Sequence, residues 1–319
     1  MRNLKGPFAA IDIGSNAIRL YIAYPKPNGF FREILAKRYE LRLGQDVFRE
    51  QRIKEGTLKE LIRVFEDIKE HLSSHKVIAY AALATSALRE ARNRKKVIQT
   101  VFNKTDLKIR ILSAHGEGKT ILEAIKHAGF EKDSKIVLDL GGGSLEIVLD
   151  IPKSKVKIQS YPLGALRTLQ HFSKDPQEFE KQFLKTLNRE NPRWRNLYWG
   201  NLWKPKIIIG TGGNIRGLLK IWKKIHSHKS RNFLTKNDII ELHSKLVGMT
   251  AIRRRKLYNL SKDRADVIVP AAKIFALFLH YSGYDRIEVP DVSLKHGMIV
   301  LLARKKIIAS KIYFKNLST

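Results

Sequence analysis

The chain contains no cysteine in its 319 residues. That excludes a disulfide framework and a thiolate metal centre, and it fits a reducing compartment. Acidic side chains are scarce: 30 Asp and Glu stand against 61 Lys and Arg, for a formal net charge of +31. An excess of that size attracts polyanions and speeds encounter with them. The basic residues are spread along the chain, so a plainly solvated surface competes with a dedicated anion-binding one. No apolar run reads as membrane-spanning; the stretch Lys273–Gly283 is well short of the roughly 20 residues a span needs. The N-terminus lacks a signal-type apolar core, which makes the cytoplasm the expected location and a membrane partner unexpected. The ten histidines show no metal-ligand spacing.

What is present is enough for packed cores: 43% of residues are apolar, and the length suits two domains of ordinary size. One phrase is written twice. Ala9–Ala23 reads AAIDIGSNAIRLYIA, and Lys135–Asp150 reads KIVLDLGGGSLEIVLD. Each is an apolar run, an Asp, one apolar residue, a Gly, a small polar or Gly stretch and a second apolar run. A single copy reads as a tight hairpin. Two copies, with Asp12 and Asp139 set in apolar runs, ask for more, because a bare carboxylate there is costly without a cation or donors. Gly14 and Gly141, Gly142 and Gly143 expose backbone N–H groups just after each Asp. Such a turn can cradle phosphate oxygens while the Asp holds hydrated Mg²⁺.

Between and around the copies, strand and helix signals alternate. Residues 31–44 read as strand, 54–72 as helix, 76–83 as strand, 86–104 as one helix, 107–112 as strand and 162–188 as a polar helical stretch. The pattern restarts at the second copy, so the chain is an internal duplication at domain scale. A third Gly turn, Gly210-Thr211-Gly212-Gly213-Asn214, joins a strand to a helix, and a helix N-terminus suits an anion. Gly118-Lys119-Thr120 imitates a P-loop, but the pattern requires Gly where this chain has Ser113.

The stretches AAIDIGSNAIRL, ATSALREARN, ILSAHGEGKTILEAI, IVLDLGGGSLEIV, IGTGGNIRGL, DRADVIVPAAKIF and VPDVSLKHGMIV resemble, in order, the exopolyphosphatase/guanosine pentaphosphate phosphohydrolase (Ppx/GppA) family over about residues 8–300. The resemblance implies an α/β fold of two similar actin-like, ribonuclease H-like domains with an interdomain cleft. Domain I is expected at 1–123 plus 297–319, and domain II at 124–296. It implies Glu117 as the catalytic base, Asp139, Asp12 and Glu146 around a divalent cation such as Mg²⁺, and phosphate contacts from Gly14, Ser15, Asn16, Arg89, Gly141–Gly143, Ser144, Gly212, Gly213 and Asn214. The implied activity is hydrolysis of terminal phosphate from inorganic polyphosphate. Guanosine penta- or tetraphosphate is the alternative substrate, and a non-catalytic sensor of polyphosphate, alarmone or nucleic acid is the rival of another class. A homodimer is the expected assembly, and nucleic acid is the less favoured partner.

Two stretches depart from the family. The first of two adjacent Glu is replaced by Gly116, and Leu-Arg-Glu-Gly is replaced by Leu294-Lys295-His296-Gly297. The basic run Ile252–Arg264 is either solvated surface or a track for a long anion. Trp194, Trp199, Trp203 and Trp222 lie close together in sequence; packing is favoured over base stacking.

Overall fold

A computed structural model describes residues 6–25, 31–172, 176–190, 205–227, 230–304 and 310–311. The chain divides into two compact units, Met1–His127 with Leu294–Thr319, and Ala128–Ser293. Each is built on a sheet that begins at one copy of the Asp-Gly phrase.

In the first unit, β1 (Phe8–Ile13), β2 (Ile18–Pro25) and β3 (Phe31–Tyr39) form an antiparallel meander. Then come α1 (Leu43–Glu50) and α2 (Glu55–Ser74), followed by β4 (Ala79–Ala84), which runs parallel to β1. The short α3 (Ser86–Glu90) and α4 (Arg94–Thr105) lead to β5 (Ile109–Ile111), parallel to β4, and α5 (Ala114–His127) follows. Every residue of β1 is buried, as an apolar strand covered on both faces requires. Leu61, Phe65, Ile68 and Leu72 bring α2 into the same core, at the helical spacing legible in the sequence.

The second unit repeats the plan. Its meander is β6 (Lys135–Leu140), β7 (Leu145–Asp150) and β8 (Lys157–Tyr161). Helices α6 (Ala165–Phe172) and α7 (Pro176–Glu190) precede β9 (Ile207–Thr211), which is parallel to β6. Next are α8 (Gly212–His226), β10 (Phe233–Thr235), α9 (Lys236–Val247), α10 (Ala251–Tyr258) and α11 (Lys262–Ser282). β11 (Arg286–Glu288) lies parallel to β9 and carries β10 antiparallel on its other side. The strand order β3-β2-β1-β4-β5 in the first sheet therefore recurs as β8-β7-β6-β9-β11 in the second. The chain then adds α12 (Leu294–Ala303) and β12 (Ser310–Lys311), both grouped with the first unit.

At the open end of the β6–β7 hairpin, Lys135 is wholly buried. Its ammonium sits 2.9 Å from Asp150, its cross-strand partner, and donates to the Asp133 carbonyl at 2.6 Å. A buried charge persists only when paired and hydrogen-bonded in this way.

Several segments differ from their sequence reading. The strand expected over 31–44 ends at Tyr39, and α1 follows. The helix expected over 86–104 is broken at Ala91, whose backbone is extended. Asn93 is responsible for part of this: its side-chain amide bonds both backbone groups of Ile53, at 2.8 and 2.9 Å. The polar helical stretch after Pro162 is two helices, α6 and α7. The apolar run at 273–283 is the end of the 21-residue α11, long and apolar enough to cross a membrane by length and composition; 72% of its most apolar window is buried inside the unit. Trp194, Trp199 and Trp203 lie outside the described residues. Trp222 donates to Asp238 at 2.9 Å and stacks on His226.

α12 packs on α5, with Arg304 pairing to Glu123 at 2.7 Å. Their closest approach is at Gly297, where an added Cβ would overlap the Thr120 carbonyl oxygen. Gly297→Ala is therefore expected to lower stability by about 1–3 kcal/mol through overpacking, read as a fall in the thermal midpoint.

Candidate active site

Asp139 on β6 and Glu146 on β7 are direct cross-strand partners. Glu146 is fully buried and Asp139 is 9% exposed. Their carboxylate oxygens approach within 4.8 Å. Ser160 on β8 donates to Glu146 Oε1 at 2.8 Å, and Thr211 at the end of β9 donates to Asp139 Oδ1 at 2.6 Å. Two carboxylates side by side in a low-dielectric setting repel unless a cation lies between them or one takes a proton. Hard carboxylate and hydroxyl oxygens are the donor set that suits Mg²⁺ or a similar divalent ion, so these residues fit the cation that the family implies.

The turn Gly141–Ser144 closes this hairpin, with the Gly141 N–H donating to the Ser144 carbonyl at 2.9 Å. The third Gly turn meets it from β9. Asn214 donates from its amide to the Leu140 carbonyl at 2.7 Å. Gly212 has φ +84°, and a Cβ there would stand 2.6 Å from Asp139 Oδ1. Only glycine accepts both the backbone angle and the carboxylate. A Cβ at Gly213 would overlap the Arg264 guanidinium, which lies across the start of α8. Beside it is a cavity of 420 Å³ whose lining includes Arg216, Lys220, Arg264 and Asp291. In the second unit the structure thus gathers Asp139, Glu146, Gly141–Gly143, Ser144, Gly212, Gly213 and Asn214 at the C-terminal ends of β6 and β9.

The first unit has the matching hairpin. Gly14 N–H donates to the Ala17 carbonyl at 3.1 Å, and Asn16 lies in the same turn. Asp12, however, faces Arg19 across the strands and pairs with it at 3.0 Å. A cation at Asp12 would have to compete with that guanidinium. The Ser15 hydroxyl is buried, 2.8 Å from the Ser86 hydroxyl, and accepts from the Ala87 N–H at 3.2 Å. The same short helix, α3, carries Arg89. Its Nη1 donates to the Leu112 carbonyl at 2.8 Å and to Glu117 Oε2 at 3.1 Å. Helix α3 therefore links the Gly14–Asn16 turn to Glu117.

Glu117 is 6% exposed and sits in the first turn of α5. Gly118-Lys119-Thr120 continue that helix, so the P-loop likeness is one of letters only. Ser113, where a P-loop has Gly, accepts from the Gly116 N–H at 3.0 Å at the start of the helix. A Cβ at Gly116 would come 2.8 Å from Leu112 Cδ1, the movable end of a half-buried side chain. Sequence reasoning missed Arg19, Ser86, Ser160 and Thr211. Arg19 was available: it follows Asp12 by the same seven residues that separate Glu146 from Asp139.

Two sheets of matching order, each with a Gly turn after a buried Asp, define a duplicated actin-like fold. The family model described as the Ppx/GppA phosphatase family matches residues 22–306, and the chain belongs to that family; it is a phosphoanhydride hydrolase. Exopolyphosphatase 1 of Mycobacterium tuberculosis is 25% identical over 299 residues, covering 91% of this chain and 86% of that protein. The crystal structure of a Ppx/GppA family member from Aquifex aeolicus has 27% identity and a TM-score of 0.76, covering 94% of this chain and 98% of that one. An exopolyphosphatase structure from Cytophaga hutchinsonii shares the fold at a TM-score of 0.85 and 21% identity, with 94% and 98% coverage.

Gly212→Ala tests the packing of the third turn on Asp139. Displacing that carboxylate is expected to lower the hydrolytic rate by about a hundredfold, with the protein still folded by circular dichroism.

Proposed function

We propose that this protein is an exopolyphosphatase that removes the terminal phosphate from inorganic polyphosphate, assisted by a divalent cation, with Glu117 as general base. The observation that carries the reading is the buried Asp139–Glu146 pair directly beside the Gly141–Ser144 turn. On this reading the two carboxylates would hold the cation and the turn N–H groups beside them would meet phosphate. The names of the related proteins point the same way.

Phosphoryl transfer asks a protein mainly for positioning and charge stabilisation. The N–H groups of the Gly turns donate to the oxygens of the terminal phosphate. Asp139 and Glu146 would hold the cation, which would supply charge neutralisation at the terminal phosphate. Arg89 orients Glu117 through Oε2 and so aims it at the attacking water. Water oxygen bonds to the terminal phosphorus, the bond from phosphorus to the bridging oxygen breaks, and the water proton passes to Glu117. Orthophosphate and a chain one unit shorter leave.

Guanosine pentaphosphate is the second substrate to test. The cavity at the start of α8, lined by Arg216, Lys220 and Arg264, is the feature that favours it. Phosphate release from long polyphosphate, tripolyphosphate and guanosine pentaphosphate, measured side by side with Mg²⁺, separates the readings; no release from any of them would favour a sensor. Glu117→Gln is expected to keep the fold and lower turnover by about two to four orders of magnitude. Asp139→Asn is expected to raise the Mg²⁺ concentration needed for half-maximal rate. Full activity in Glu117→Gln would remove that residue from the role of base.

Charge gives a separate expectation. A long polyanion releases many counterions on binding, so its affinity falls steeply with salt, whereas a short one responds less. On α10, Arg253, Arg255 and Lys256 are exposed, but Arg254 turns inward and donates to the Met249 and Ala265 carbonyls. Burial holds the Arg254 guanidinium below the usual arginine pKa. The joint change of Arg253, Arg255 and Lys256 to alanine is therefore the informative one. It should raise KM for long polyphosphate, as high salt does, and leave KM for tripolyphosphate unchanged at constant free Mg²⁺.

A further inference from the structure

The carbonyl side of the phosphate turn is fastened to α6. Ala165 N–H donates to the Gly141 carbonyl at 3.0 Å, and Leu166 N–H donates to the Gly142 carbonyl at 2.9 Å. Arg167 adds two more: its N–H reaches the Gly142 carbonyl at 3.0 Å, and its side-chain Nε reaches the Gly143 carbonyl at 2.7 Å. Three consecutive carbonyls thus point at the first turn of one helix. In a planar trans peptide the C=O and the following N–H point in opposite directions. The N–H groups of Gly142, Gly143 and Ser144 are therefore directed away from α6, as a row of donors on the other face.

Arg167 is also out of place by the ordinary rule for helices. A cation in the first turn opposes the helix macrodipole, and α6 has no acidic residue there to offset it. Here the guanidinium and the positive end of α6 stand together behind the turn, where both favour an anion held on its N–H face. The backbone comes so close that a Cβ on Gly164 would overlap the main chain of Gly142 and Gly143. The first unit has a thinner version of the same support: Gly44 N–H at the start of α1 donates to the Ser15 carbonyl at 2.8 Å, and no side chain with the role of Arg167 is seen among the described residues.

We infer that Arg167 is a positioning residue, and that with Gly164 and the first turn of α6 it forms a backstop that aims the N–H groups of the Gly141–Ser144 turn at phosphate. This rests on the reading of that turn as phosphate-binding, so the test uses inorganic phosphate itself as probe. Phosphate affinity, kcat and KM for tripolyphosphate, and the thermal midpoint are measured for the wild type, Arg167→Ala and Arg167→Lys. In Arg167→Ala, phosphate affinity should fall about tenfold to a hundredfold, the worth of one charge-assisted hydrogen bond and the donors it aligns. KM should rise in step, and added guanidinium ion should restore part of both. Arg167→Lys should fall between the two. Phosphate affinity and KM within about twofold of wild type in folded Arg167→Ala would overturn the proposal. If Arg167→Ala does not fold, unchanged phosphate affinity in Arg167→Lys overturns it equally. A wild type that binds no inorganic phosphate would instead remove the underlying reading of the turn, and the backstop with it.

Discussion

The register of two short hairpins sets everything else in this molecule. In each, the strand ends one residue after an aspartate, Gly14 or Gly141 makes the turn, and the residue seven places on from the Asp is brought directly across from it. Slipping either pairing by one residue would turn the Asp to the other face of its sheet. The turn N–H groups follow from the same register, as does the parallel strand that lays its own helix start beside each turn.

The same geometry is used for opposite electrostatic ends. In the first unit the partner of Asp12 is Arg19, and the charge is cancelled within the hairpin. In the second the partner of Asp139 is another carboxylate, Glu146. Cancelling charge lets a hairpin serve as scaffold; a buried pair of carboxylates asks for a cation or a proton between them. The duplication is therefore structural, while the chemistry is asymmetric. Glu117 belongs to the first unit and the paired carboxylates to the second.

Much of this was legible in the sequence, and for a physical reason. Central strands such as β1 and β6 are buried on both faces and read as unbroken apolar runs, and a Gly after an Asp marks the turn by backbone necessity. What was not legible depends on partners distant in sequence. Asn93 breaks a helix because it serves Ile53, about 40 residues back. Helix α1 has no periodicity long enough to announce it, yet its Gly44 reaches back to Ser15. Arg89 read as a ligand for phosphate, and nothing in its local pattern announces that its Nη1 also holds Glu117 and the Leu112 carbonyl. Local pattern names the element; only the fold names the partner.

The basic excess divides along the same line. Lys135 is sealed inside with Asp150, Arg254 donates to the Met249 and Ala265 carbonyls, and Arg231 lies over the Trp222 and Phe233 rings while pairing with Asp238. Arg19, Arg89 and Arg167 are each engaged at a hairpin or a helix start. These cations are fixed parts of the structure, and they would be present whatever the substrate. The formal charge of +31 already subtracts every Asp and Glu, so these pairings fix where the cations sit and leave the net excess unchanged. The remainder lies on exposed faces such as that of α10, where screening by salt acts within about 10 Å. On the proposed function, attraction of a long anion and grip on its terminal phosphate would be separate tasks, carried by different positive groups. The first is tunable by ionic strength; the second is set by backbone donors whose direction the register has already fixed.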